Sequence, residues 1–251
     1  MSEEELVAVD VETTGLHPED GDRIVEVAIV RGRRGSTPTC WTSLVHPGRS
    51  TGAVHVHGIT DDMLADAPSW KDLAEEVDRR LAGGVLVGHN VRFDLAFLAM
   101  EHERVSRRFV PRVALDSLWL ARQVLPGSRH GLATVAAELG VPHVRAHRAE
   151  SDARACWDST WSLLDRLDPA HALDLPHLAH MSQPRDACAR KELVDALRRH
   201  AGMPIPISYT GAAVTRRVIT PVRVGRRRVE AWCHLRQATR LFRLDRIHLV
   251  A

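Results

Sequence analysis

The sequence predicts an α/β protein, a mixed sheet covered by helices, followed by a small β-rich module. Three observations carry this. Val- and Ile-rich segments bounded by Gly and Asp come first, and helical segments interleave with further short strands after them. From Asp186 to Ala251 there are 14 basic against 5 acidic residues, a net charge of +9, which leaves −7 for the rest of the 251-residue chain. Such asymmetry marks an acidic module joined to a basic one. Beyond Pro204 the chain reads as short β segments punctuated by glycine.

In order along the chain, Leu6 to Thr13 and Ile24 to Val30 read as strands, and Trp41 to His46 as a third that completes a meander. Ser69 to Leu81 reads as a helix, followed by a short buried strand at Val85-Leu86-Val87. Asn90 suits an N-cap for a helix from Val91 to about Glu103. Further helices are expected at Ser117 to Val124, Leu132 to Leu139 and Ala149 to Leu167. From Asp168-Pro169 to Gln183-Pro184, prolines and histidines interrupt any clear period. The expected division is therefore a first domain over 1–168, a partly helical linker over 169–186 and a basic module over 187–251. That module opens with a helix, Ala189 to His200, ended by Gly202 and Pro204. Ile205 to Tyr209, Arg217 to Val224, Val229 to Arg236 and Leu241 to Val250 follow as strands, with Gly211 and Gly225 at hairpin turns. A strongly curved antiparallel sheet or an SH3/Sm-like barrel fits them.

Composition excludes several classes. With 44% hydrophobic and 26% charged residues the chain is not disordered. No apolar run approaches the ~20 residues a membrane helix needs. Ser2-Glu3-Glu4-Glu5 is acidic where a secretory signal is basic. Four scattered cysteines without a C-x-x-C pair argue against zinc and against a disulfide framework. A reducing cytoplasm is the expected setting. Six Trp, four Phe and one Tyr are few for a protein built around stacking single-stranded bases. The 32 arginines against Lys71 and Lys191 alone read as coding bias rather than function.

Chemistry gathers in three places. Asp10 and Glu12 lie two apart in the first strand, so both carboxylates share one sheet face. Two such acids suit a hard divalent cation such as Mg²⁺ or Mn²⁺, or are simply exposed strand acids. Gly88-His89-Asn90-Val91-Arg92-Phe93-Asp94 ends a strand and opens a helix, which aims Asp94 toward the sheet edge. The alternative is an acid that complements the helix dipole. In His147-Arg148-Ala149-Glu150-Ser151-Asp152 a spacing of five does not align the two on one helical face. The useful geometry leaves a mobile His147 in the loop and Asp152 in the helix. Read alone, they are a surface histidine and a capping acid.

The order D-x-E-T-T-G, G-H-N-x-x-F-D, H-x-x-x-x-D closely resembles the DnaQ-like DEDDh exonuclease family over about the first 165 residues. Val56-His57-Gly58-Ile59-Thr60-Asp61 resembles a segment of its proofreading branch, and Leu115-Asp116-Ser117 its strand-to-helix step. The resemblance implies an RNase H-like fold and a 3′–5′ exonuclease releasing nucleoside 5′-monophosphates. Two Mg²⁺ or Mn²⁺ ions would be held by Asp10, Glu12, Asp94 and Asp152, with Asp10 bridging and His147 as general base. The tyrosine-using branch is excluded, because the only tyrosine, Tyr209, lies in the other module. Thr13, Thr14 and Leu16 would cradle the terminal nucleotide, with His57 and Phe93 bordering its base or sugar. Core packing of Phe93 on Phe97 is the alternative, and Trp157 and Trp161 read as core. The partner is a nucleic-acid 3′ end, DNA rather than RNA on the strength of the proofreading-like segment. An exoribonuclease, or a binding or regulatory protein that uses the fold as a scaffold, are the other readings.

The C-terminal segment is similar to the WYL-type module. The matching pieces are Ile207-Ser208-Tyr209-Thr210-Gly211, Val218-Ile219-Thr220-Pro221-Val222-Arg223, Cys233-His234-Leu235-Arg236 and Phe242-Arg243-Leu244-Asp245-Arg246-Ile247. Arg227-Arg228-Val229 stands where the naming Trp-Tyr-Leu belongs. Arg223, Arg236, Arg243 and Arg246 recur on expected strands, and Arg226-Arg227-Arg228 follows a turn glycine. Together they would form either a phosphate-gripping surface, with Arg223, Arg236 and Arg243 as substrate contacts, or a solvated basic face.

Overall fold

A computed structural model describes residues 5–109, 114–127, 129–169, 174–182, 187–210, 214–225 and 228–250. The first sheet comprises β1 (Glu5–Thr13), β2 (Ile24–Arg33), β3 (Thr39–Leu44), β4 (Val85–Gly88) and β5 (Ala114–Asp116), in the order β3-β2-β1-β4-β5. The first three strands are antiparallel neighbours, whereas β4 and β5 join in parallel. Helices α1 (Val54–His57), α2 (Asp61–Leu64), α3 (Trp70–Leu81), α4 (Arg92–Arg104), α5 (Ser117–Val124), α6 (Leu132–Leu139), α7 (Ala149–Leu167) and α8 (Leu175–Ser182) complete this part.

Central β1 is covered on both faces, which is why it reads as an almost unbroken apolar run. Leu6 and Ala8 enter one core with Ala149, Ala153, Cys156, Trp157 and Leu164 of α7. The small Ala149 and Ala153, four apart, let α7 lie close to the sheet. Val7, Val9 and Val11 enter the opposite core with Trp70 of α3 and Phe97 of α4. Trp157 and Trp161 are core residues as expected, edge to face at 6.1 Å. The stretch expected to link the modules carries α8, whose Leu175, Leu178 and Ala179 are buried in the first of these cores. The hydroxyl of Ser182 accepts the Asp116 N–H on β5. Among the described residues, no helix is long and apolar enough to cross a membrane.

After α9 (Ala187–Arg199) comes a second sheet: β6 (Ile205–Thr210), β7 (Val214–Val224), β8 (Arg228–Cys233), β9 (Ala238–Arg243) and β10 (Ile247–Leu249). Its order is β10-β6-β7-β8-β9, antiparallel throughout. Leu193 and Leu197 of α9 share its own core with Ile207, Ile219, Val229 and Phe242.

Four expectations need correction. The barrel does not close among the described residues, because β9 and β10 stand at opposite ends of the ladder. Leu241 to Val250 is not one strand, since a 3₁₀ turn at Leu244–Arg246 separates β9 from β10 and carries Arg246 off the sheet. Arg236 is also off the sheet, in the turn after β8, where its N–H donates to the Cys233 carbonyl. Asn90 does not cap α4: it adopts a left-handed φ of 67° and its N–H donates to Asp116. Asn tolerates both roles, so residue type alone does not separate them. Gly225 does make the β7–β8 turn, through its N–H to the Arg228 carbonyl. Gly211, Arg226 and Arg227 lie outside the described residues.

Candidate active site

β4 pairs with β1 only from Leu6 to Ala8, so beyond Ala8 that edge of β1 is open. The Val11 N–H it leaves donates to Asp94 Oδ1 at 3.1 Å, which ties the first turn of α4 to the end of β1. Asp10 and Glu12 stand on the sheet face that α7 covers, in step with Leu6 and Ala8. From α7 comes Asp152. Ligand atoms of Glu12, His147 and Asp152 all lie within 4.8 Å of one another.

The electrostatics of this corner are adverse without a cation. Burial, with the carboxylates of Asp94, Asp152 and Glu12, pushes Asp10 well above the usual range. Burial and the charges of Asp152 and Glu26 push Glu12 up to about 8. Asp94 also rises to about 8, chiefly through burial, against the lowering effect of its bond from Val11. Carboxylates raised together supply the all-oxygen set a hard divalent ion takes, and such an ion would relieve the repulsion. The residues present therefore fit a divalent metal.

His147 is exposed, with a left-handed φ of 62° that a non-glycine residue adopts only under constraint. The constraint is its own N–H, which donates to Asp152 Oδ2 at 3.1 Å. The backbone is thus fixed while the imidazole stays at the surface. His143 was not legible as a site residue: its Nε2 lies 2.5 Å from Asp152 Oδ1. No local spacing marks a histidine nine residues before an acid.

Thr13 and Thr14 are buried, and their hydroxyls donate to the Gly15 carbonyl and to Asp22. Any cradle they form must therefore use backbone groups. Leu16 is 70% exposed at the same turn. Across from it, Gly52 approaches so closely that a Cβ would sit 2.5 Å from the Thr14 carbonyl oxygen. That contact seats the 51–58 segment beside the turn. His57, on this segment, is buried; Nδ1 accepts the Ile59 N–H and Nε2 faces the Thr13 backbone without a well-formed hydrogen bond. Burial holds its pKa below the ordinary value. Phe93 is half-buried against Phe97, with ring centroids 4.9 Å apart. Arg223 and Arg243 lie on one exposed sheet face, linked through the register pairs Arg223–Glu230 and Arg228–Arg243. Arg223 is 3.6 Å from Glu230.

Comparison with known proteins identifies the family and the fold. Residues 7–158 match the family model described as Exonuclease, and residues 191–251 match the WYL domain model. The chain is 35% identical over 158 residues to DNA polymerase III subunit epsilon of Treponema pallidum, covering 61% of this chain and 73% of that protein. It is 31% identical over 186 residues to the 3′-5′ exonuclease DinG of Bacillus subtilis, covering 73% of this chain but spanning only 20% of that protein. Among solved structures, Exonuclease X in complex with 5′ overhanging duplex DNA aligns with TM-score 0.52 and 26% identity, covering 71% of this chain and 99% of that one. E. coli Exonuclease I in complex with a dT13 oligonucleotide aligns with TM-score 0.61 over 98% of this chain and 66% of that one; at 15% identity, this likeness speaks for the fold. The converging acids thus sit inside a shared scaffold: this chain belongs to the DnaQ-like exonuclease family and carries a WYL domain behind its exonuclease domain.

Proposed function

We propose that the chain is a divalent-metal-dependent 3′–5′ exonuclease that releases nucleoside 5′-monophosphates, with DNA preferred. The observation that carries this is the meeting of Glu12, Asp152 and His147 within 4.8 Å, beside Asp10 and Asp94. Asp10, Glu12, Asp94 and Asp152 would hold two Mg²⁺ or Mn²⁺ ions. Bound there, such ions supply Lewis-acid activation of water and charge neutralisation at the phosphate. His147 takes the proton of the attacking water as its oxygen bonds to phosphorus; the bond from phosphorus to the 3′ oxygen breaks, and that oxygen, on the shortened strand, takes a proton from solvent. Backbone groups at Thr13, Thr14 and Leu16 seat the last nucleotide, and His57 and Phe93 border it. The DNA preference rests on the names of the polymerase relatives.

The division of labour follows the expected boundaries, chemistry in 1–168 and strand holding in 187–251, with α8 of the 169–186 stretch packed on the first sheet. Arg223 and Arg243 grip phosphates, with Arg236 a separate contact in the turn at the other end of the β8–β9 hairpin. A reducing cytoplasm suits the free thiols of Cys40, Cys156 and Cys233. An end-labelled single strand incubated with Mg²⁺ or Mn²⁺ tests the reading. Stepwise shortening that chelator and Asp10→Ala abolish is expected. Shortening no greater than that of Asp10→Ala overturns it and leaves a binding scaffold. A matched RNA strand cut faster than DNA reverses the substrate preference.

A further inference from the structure

Glu26 stands on β2 directly opposite Glu12. Two carboxylates facing each other across a ladder repel, so a second acid beside the acidic centre needs a compensating partner. It has one: Glu26, only 2% exposed, accepts Arg148 Nε at 3.0 Å and Nη2 at 2.5 Å. The same carboxylate accepts the Ala149 N–H at 2.9 Å. Ala149 is the first residue of α7, and no side chain from α7's own cap residue, Arg148, serves that end. Glu26 therefore caps the helix from a neighbouring strand. Immediately before this clamp lies His147 with its left-handed backbone; three residues beyond Ala149 lies Asp152, which accepts the His147 N–H. Two carboxylates fix the turn that carries the imidazole, one from the sheet and one from within α7. A partly buried ion pair adds little net stability over apolar packing, but its bidentate form sets position closely.

We propose that Glu26 and Arg148 are positioning residues: their ion pair clamps the start of α7 to β2 and so holds His147 beside Glu12 and Asp152. This rests on His147 being the general base of the exonuclease reading. Glu26→Gln keeps an acceptor for Ala149 but loses the ion pair, and Arg148→Ala removes it from the other side. Each lowers kcat by about 10–100-fold, the usual cost of losing an outer-shell partner, with KM for the strand unchanged. In a His147→Ala background neither change lowers kcat further, since what they position is gone. Rates are compared at saturating Mn²⁺ and well below each variant's Tm. A kcat within twofold of wild type, or equal fold-losses with and without His147, overturns the proposal. Hydrogen–deuterium exchange gives a readout independent of turnover: amides of 147–152 exchange faster in Arg148→Ala, while those of α3 do not. Unchanged exchange there also overturns it. An inactive wild type counts against the exonuclease reading instead, and the exchange result still decides the clamp.

Discussion

His147 combines a fixed backbone with an exposed ring, which suits a group that must collect a proton and give it up to solvent. His147→Ala is expected to lose about 10²–10⁴-fold in kcat while still binding strand and cation, as measured by single-turnover rates and strand titration. Near-normal turnover removes the residue from that role. Asp94 makes a different prediction. Its folded pKa of about 8 lies above the ordinary carboxylate value, so the native state binds a proton that the unfolded chain has released. In metal-free protein, stability tied to this group is full at pH below about 4 and is lost as pH rises through about 8. Asp94→Asn, which still accepts the Val11 N–H, is expected to melt higher than metal-free wild type at pH 8.5, with little difference at pH 4. It should also lose the rise in Tm that Mn²⁺ gives wild type. A variant less stable at pH 8.5 than metal-free wild type contradicts this. The four acids and His147 could be nominated from the sequence because they stand in an ordered set of motifs that resembles a known family. His143 and Glu26 could not, because each reaches the site only through tertiary folding.

At the scale of elements, legibility follows the strength of the local pattern. β1 and β2, rich in Val and Ile, and α5, α6 and α7 appear where periodicity places them. The start of α4 was misread because Asn90 serves a left-handed turn rather than a cap, and the run from Leu241 to Val250 concealed a 3₁₀ turn within a β-prone sequence. The second misreading changes which arginines act together. Arg223 and Arg243 share the exposed face of β7, β8 and β9, whereas Arg236 lies in a turn and Arg246 in the 3₁₀ segment. Arg228 and Arg243 are directly opposed, like charges that a phosphate between them would stabilise. Arg223→Glu with Arg243→Glu is therefore expected to weaken single-strand binding. Each lost phosphate contact should flatten the plot of log K against log salt by roughly 0.7. Fluorescence anisotropy over a salt series measures both, and an unchanged slope leaves the face merely solvated.

For the whole molecule, the charge division and the core division coincide. The −7 part holds a sheet with cores on both faces, and the +9 part gathers Leu197, Ile207, Ile219 and Phe242 into a core of its own. On the proposed function, an acidic catalytic corner would repel the polyanion it cuts, and the basic module would counter that repulsion at long range. Because the second core stands by itself, its stability should be separable from the first. Phe242 is 2% exposed and meets Tyr209 edge to face at 5.1 Å. Phe242→Ala removes this contact and is expected to cost about 3–5 kcal/mol in the second sheet alone. Scanning calorimetry of wild type should then resolve two transitions, and the variant should lower only one. Mn²⁺ should raise only the other, because a ligand stabilises the unit that binds it. The variant should keep kcat while binding strand more weakly at raised salt. A single transition that moves as a whole under both treatments would show that the two cores fold as one, and the phosphate grip would then have to be tested through the sheet-face arginines alone.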